Sequence, residues 1–453
     1  MPTFTTTFTA VLAAALLSAP TTLAAHSPPH YNLVTSFSGS DFFTNFSFWD
    51  QPDPTNGFVS YQSASSAAAS GLAGYIFNNA TGAHTAYLGV DHETLDPEAG
   101  RASVRVTSQQ AWSGGGLWVV DLRHMPAGVC GAWPALWLVG PDWPHNGEID
   151  IVEGVNTEFD DFNSLTLHTG PGCESHAAPK SFLGEQVTTD CDVSSAESNT
   201  GCSVQANASR SLDPHSRKTT THATSGAAFN AQGGGVYATI WDASGIKIWM
   251  FPHAAIPSDL ASGAPNPASW TAKPLAAFGG QGCDYTAAFS KQQLVIDTTF
   301  CGDWAGKPAV WANSTCAAQA PTCQAFVAGH PEAFREAFWE IASIEVYQTS
   351  EQQGASGTRP IAKRHEADHF PAALGEIMPH GHGDEPDCPH MAAAANSTVG
   401  VNATTNANST APLRATGTFP TTASASASLA ADASAYGNST GFAALKGRFA
   451  KLR

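Results

Sequence analysis

Between Asn32 and Gln348 apolar and polar residues alternate in short runs instead of recurring at helical spacing. ASVRVTS (102–108), GLWVVDLRH (116–124), VYATIWD (236–242), IKIWMF (246–251), QQLVIDTTF (292–300) and IASIEVY (341–347) each read as strands. Clusters of Gly, Pro, Asn and Asp separate them. Helical patterns are scarce, and PEAFREAFWE (331–340) is the best of them. Several short strands with turn punctuation predict an all-β sandwich or jelly roll, without internal repeats.

The two ends of the chain read differently. The short apolar run AVLAAALLSA (10–19), followed by TTLAAH, predicts a secretory signal peptide over residues 1–25, cleaved near Ala24 or Ala25. Eight Asn-X-Ser/Thr sequons, at Asn45, Asn79, Asn207, Asn313, Asn396, Asn402, Asn408 and Asn438, agree with export and glycosylation. From about residue 351 to 453 the chain turns to Ala, Ser, Thr, Asn, Gly and His, with few large apolar residues to bury. Such a segment cannot offset its chain entropy and is expected to be a disordered tail. Its dibasic pair, Lys363-Arg364, reads either as a solvated charge pair or as a secretory-pathway protease site, and its basic end (GFAALKGRFAKLR) is unlike a lipid-anchor signal. A single catalytic domain is expected over residues 26–350.

Composition narrows the function. Only 13% of the 453 residues are charged, and 38 Asp and Glu against 20 Lys and Arg leave a formal charge of −18. That balance argues against nucleic acid or an anionic membrane as partner, since both require a basic face. No apolar run after the N-terminus reaches the roughly 18 residues of a membrane span. Nine Cys suit an oxidising compartment, so the chain is expected to be secreted and to act as a monomer. Eight of them lie in the body and allow 105 pairings, so connectivity is not readable, with Cys283–Cys301 and Cys316–Cys323 as plausible local pairs; Cys388 stands alone in the tail.

The chemistry concentrates in WPALWLVGPDWPHNGEIDIVEGVN (133–156). On a strand, Glu148 and Asp150 share one face while Ile149 and Ile151 point into a core. Strict alternation would drive Glu153 into that core, where an unpaired carboxylate costs several kcal/mol. One extra residue, a β-bulge between Asp150 and Glu153, returns Glu153 to the acidic face. The α-carbons of Glu148 and Glu153 would then lie about 13 Å apart, and side chains leaning inward bring the carboxyl groups to about 5 Å. That gap suits a retaining glycosidase, in which one carboxylate attacks the sugar and the other protonates the leaving oxygen. Trp133, Trp137 and Trp143 crowd the same segment, and Trp rings stack on the apolar faces of sugars.

With HMP (124–126), CGAWPALW (130–137), GPDWP (140–144), GEIDIVEGVN (147–156), LTLHTG (165–170) and CGDWAG (301–306), residues 30–350 resemble the secreted fungal β-glucanases of glycoside hydrolase family 16, in its laminarinase-like branch. The resemblance implies a jelly roll of two curved antiparallel sheets with a concave substrate cleft. It implies Glu148 as nucleophile, Glu153 as general acid/base and Asp150 as the assisting carboxylate between them. It also implies that Trp137, Trp143, His168 and Trp304 line the sugar cleft.

Two other motifs carry less. His365-Glu366-Ala367-Asp368-His369 fits the H-E-x-x-H zinc pattern, but Pro371 follows at once and apolar flanks for a buried helix are missing. Gly437-Asn438-Ser439-Thr440-Gly441 fits a nucleophile elbow without a preceding strand. The expected protein is therefore a secreted endo-1,3(4)-β-glucanase whose partner is a β-glucan polysaccharide. It needs no cofactor, and any calcium ion would be structural. A glucan transglycosylase and a non-catalytic glucan-binding protein are the alternatives.

Overall fold

The alternating runs form the strands they predict. In the computed structural model, which describes residues 2, 29–78, 82–194, 200–212, 219–361, 375 and 377, they assemble into two antiparallel sheets of eight strands each. The first sheet runs Ala276–Gly279, Gly245–Phe251, Gly235–Asp242, Gly116–His124, Trp339–Gln348, Ala83–Leu88 and Ala73–Asn78, with Asn32–Ser38 also paired to Trp339–Gln348. The second runs Glu185–Gln186, Cys202–Ala206, Asn163–His168, Glu148–Glu153, Ala132–Val139, Gln293–Phe300, Arg105–Ser108 and Phe46–Phe48. The predicted signal segment, the H-E-x-x-H run, Lys363-Arg364, Cys388 and the G-x-S-x-G match lie outside the described residues. Among the described residues no helix is long and apolar enough to cross a membrane.

Each strand of the second sheet has two unlike faces. Val106, Leu136, Leu138, Ile149, Ile151, Val152, Leu294 and Ile296 are wholly buried in the main core, together with Trp118, Tyr237 and Ile344 of the first sheet. Burying these side chains supplies the main drive for the two sheets to pack. The opposite face carries the polar residues that alternate with them.

PEAFREAFWE, the best of the helical patterns, makes only a turn of helix, the 3-10 turn Pro331–Phe334, after which the chain extends into the strand Trp339–Gln348. Trp339 and Ile341, both buried in the main core, take alternate positions that a strand but not a helix can turn inward. The plausible local disulfides do not form; the bonds are Cys130–Cys316, Cys173–Cys283, Cys191–Cys202 and Cys301–Cys323. The reason is the extended strand Gln293–Phe300, which carries Cys301 about 25 Å from the strand's start, whereas Cys283 lies in the loop before that strand. Cys301, Cys323, Cys130 and Cys316 instead converge in a second apolar cluster with Val59, Tyr61, Phe300 and Trp311.

Candidate active site

The acid strand begins at Gly147, whose φ of +78° suits glycine, and a Cβ there would lie 2.3 Å from the Phe289 ring. From it, Glu148 pairs with Val139, Ile149 with Leu138 and Asp150 with Trp137. The register then slips: Val152 pairs with Leu136 and Glu153 with Ala135, leaving Ile151 as the extra residue. This is the bulge that spacing required, and it sets Glu153 on the face of Glu148 and Asp150 while Ile149, Ile151 and Val152 stay in the core.

A bulge frees backbone groups from the ladder, and here one side chain takes them up. Asn163, fully buried on the neighbouring strand, accepts the Glu153 N–H at 2.9 Å through Oδ1 and donates Nδ2–H to the Ile151 carbonyl at 2.8 Å. One amide therefore closes both ends of the irregularity, because it carries a donor and an acceptor together.

The three acids have distinct partners. Trp143 donates its indole N–H to Glu148 Oε2, and Trp133 donates to Glu153 Oε1 at 2.9 Å. Asp150, 2% exposed, faces His168 with Oδ2 3.3 Å from Nε2. One carboxylate oxygen from each of Glu148 and Asp150 and a ring nitrogen of His168 lie within 4.8 Å of one another. Burial pushes the Glu148 carboxyl up to about 8, and the Asp150 charge adds to it. His168 pulls the other way, Glu153 reinforces the rise, and the Trp143 hydrogen bond opposes it. Burial and the Asp150 charge thus favour the protonated form of Glu148 at neutral pH.

That rise has a consequence for stability. An acid whose folded value (about 8) exceeds its ordinary 4.5 binds more protons folded than unfolded between those limits, so its contribution to stability falls as pH rises through that window. Glu148→Gln carries no such penalty. Its melting temperature relative to the wild type is expected to climb from pH 4.5 to pH 8 and to level off above; thermal scans across that range check this, and a constant difference would refute it.

Of the residues picked out in the sequence, Trp133, Trp137, Trp143 and His168 join the three acids at this face, and Trp304 adjoins it. Trp143 touches Glu148, His168 touches Asp150, and Trp137 pairs in register with Asp150. Trp304 reaches Glu153 through Trp133, their rings edge to face with centroids 5.6 Å apart. The short helix Gly302–Ala305 presents Trp304, following Cys301 at φ +63°, which the bond to Cys323 holds. Sequence reasoning missed Asn163, Tyr61, Arg105 and Asp297. Trp137 donates its N–H to Asp297 Oδ1 at 2.9 Å, Tyr61 donates its O–H to Asp297 Oδ2 at 2.8 Å, and the Arg105 guanidinium sits 5.1 Å from the Trp137 ring centroid. Asp297 did leave a signal: it is a lone acid in the apolar run QQLVIDTTF, with the same alternation that exposed Glu148 and Asp150.

The comparisons with known proteins agree with this geometry. A family model described as an XgeA-like, catalytic GH16 domain matches residues 46–347. The endo-1,3(4)-beta-glucanase xgeA of Emericella nidulans is 40% identical over 346 residues, 75% of this chain and 50% of that protein. A probable endo-1,3(4)-beta-glucanase of Aspergillus fumigatus is 42% identical over 345 residues, 75% of this chain and 48% of that protein. The chain spans about half the length of these curated relatives. Among solved structures, laminarinase 16A from Phanerochaete chrysosporium, holding 6-O-glucosyl-laminaritriose in donor and acceptor sites, matches at 38% identity and a TM-score of 0.61 over 70% of this chain and all of that one. An elongating GH family 16 β-1,3-glucosyltransferase matches at 40% identity and a TM-score of 0.59 over the same shares.

Proposed function

The chain belongs to glycoside hydrolase family 16, and from that premise we propose that it is a retaining endo-β-glucanase hydrolysing β-1,3 or mixed β-1,3/1,4 glucan by double displacement. The observation that carries the reading is the bulge at Ile151, which sets Glu148, Asp150 and Glu153 on one face of one strand among Trp133, Trp137 and Trp143. Glu148 attacks the anomeric carbon, and the electron pair of the breaking C–O bond passes to the glycosidic oxygen, which takes the Glu153 proton. Water then attacks the glycosyl-enzyme, giving its proton to Glu153 and releasing Glu148, so the configuration is retained. The two carboxyl groups supply both the nucleophile and the acid, and this chemistry calls for no cofactor. Asp150, held against His168, keeps a second negative charge beside Glu148 and assists the migration of the proton.

Attack needs Glu148 ionised and a proton on Glu153, whereas burial and the Asp150 charge favour the proton on Glu148. That proton is the one the reaction must hand to Glu153, so kcat/KM is expected to fall above about pH 8 as it is lost. Asp150→Asn removes the like charge that raises Glu148, so its alkaline limb is expected at lower pH than the wild type's. An unmoved limb in rate profiles of the two proteins would separate Asp150 from the proton inventory.

Sugar release from laminarin and from barley mixed-linkage glucan, by wild type and Glu148→Gln in parallel, tests the function. Oligosaccharides from wild type alone support the glucanase and rank the two linkages. No release with binding intact points to a glucan-binding protein. A second reading, transglycosylation, draws support from the glucosyltransferase at 40% identity; it uses the same glycosyl-enzyme with a sugar as acceptor. Products longer than a laminarin-oligosaccharide donor would mark it.

We also propose that the protein is exported. Four disulfides suit an oxidising compartment, and sequon residues Asn207 and Asn313 are exposed. Intact mass of the mature protein, before and after deglycosylation, tests both export processing and glycans.

A further inference from the structure

Asp297 is a buried acid that the double displacement does not use. It lies 5% exposed in the middle of the strand Gln293–Phe300, where burial pushes its carboxyl up and the Arg105 charge, Trp137 and Tyr61 pull it back. An acid in such a place is destabilising unless its oxygens are fully engaged. Both are: Oδ1 accepts the Trp137 indole N–H at 2.9 Å and Oδ2 accepts the Tyr61 hydroxyl at 2.8 Å. Asp297 pairs across the sheet with Ala135 on one side and Arg105 on the other, in the row that contains Glu153. Trp137 occupies the next row on the same face, paired with Asp150.

The surroundings of Trp137 give that carboxylate a task. A Trp side chain rotates about two bonds, and Trp137 is only half-buried. The Arg105 guanidinium lies 5.1 Å from the Trp137 centroid and 5.4 Å from the Trp49 centroid, a contact that attracts the ring but sets no direction for its N–H. A hydrogen bond at the indole nitrogen removes that remaining freedom.

We propose that Asp297 is a positioning residue for the glucan-binding face: through the Trp137 N–H it holds the indole plane as the sugar platform beside the acid strand, with Tyr61 anchoring the second oxygen of the carboxylate. This rests on the glucanase reading above. Its chemistry is specific, since an acceptor is required at Oδ1 and a packing residue of the same size would not serve.

The test is a double-mutant cycle between Asp297 and Trp137, read as KM and kcat on laminarin and as laminarin-oligosaccharide affinity in the Glu148→Gln background. Asp297→Ala is expected to raise KM on the order of tenfold with kcat changed little, the equivalent of one well-made hydrogen bond. Asp297→Asn keeps an amide oxygen for the indole and is expected to restore most of the affinity. In a Trp137→Phe background Asp297→Ala should add almost nothing, because the ring it orients no longer carries an N–H. Should Asp297→Ala fail to fold, Asp297→Leu fills the same space without a buried charge or an acceptor and runs the same cycle. Full additivity of the two substitutions, or an unchanged KM in Asp297→Ala, overturns the positioning role while leaving the glucanase intact. Wild type that neither cleaves nor binds laminarin overturns the glucanase reading and this inference with it.

Discussion

Glu148→Gln and Glu153→Gln are each expected to lower kcat on laminarin by about three to five orders of magnitude, with the fold unchanged. The two losses differ in kind. Glu148→Gln has no nucleophile, so no glycosyl-enzyme forms with any substrate. Glu153→Gln keeps the nucleophile but cannot protonate a sugar leaving group. An aryl glycoside whose leaving group needs no proton should therefore still glycosylate Glu148 in that variant. The intermediate then waits for water that no base activates, and a small anionic nucleophile such as azide should speed its release. Trapped covalent sugar on Glu148, seen by mass spectrometry of Glu153→Gln, checks the two roles together. A kcat within about tenfold of wild type in both variants would falsify the assignment of these carboxylates to the chemistry.

The second large effect is on stability. Cys130–Cys316 joins positions 186 residues apart and lies in the apolar cluster that also holds Cys301–Cys323, Tyr61 and Trp311. Both sulfurs are buried, Cys130 at 1% exposure and Cys316 at 0%. Cross-linking so long a loop restricts the unfolded chain most strongly, although Cys173–Cys283 already shortens the loop it closes. Replacing both cysteines by serine is expected to cost about 3–5 kcal/mol and to lower the melting temperature on the order of 10 °C. Calorimetry of the double-serine variant measures this. A shift of less than about 2 °C would mean that the cluster is held by packing alone.

The acid strand was readable because two rules meet there. A strand has a period of two, and a buried lone carboxylate is costly, so Glu148, Asp150 and Glu153 can share a face only if a residue is added between Asp150 and Glu153. The register slip at Ile151 is that residue. The strands at 116–124, 236–242 and 292–300 were readable for the first of these reasons. The pattern at 331–340 was readable only as a turn of helix because its apolar spacing suits both a helix and a strand entering a core; Pro331–Phe334 is that turn, and the buried Trp339 and Ile341 belong to a strand.

The β architecture, the acidic face with its bulge, and the cluster of tryptophans around it follow from neighbours within a few residues, where alternation and the cost of burying charge operate. Which cysteines bond, that Asn163 clasps the bulge, and that Asp297 ties Trp137 to Tyr61 depend on segments far apart in the chain. Asp297 and Tyr61 stand 236 residues apart in the chain yet 2.8 Å apart in space. No local period encodes such a pairing: the strand Val59–Tyr61 pairs with Arg101–Ser103 outside the two large sheets, the fold lays it against Gln293–Phe300, and a buried polar group must find its partner there.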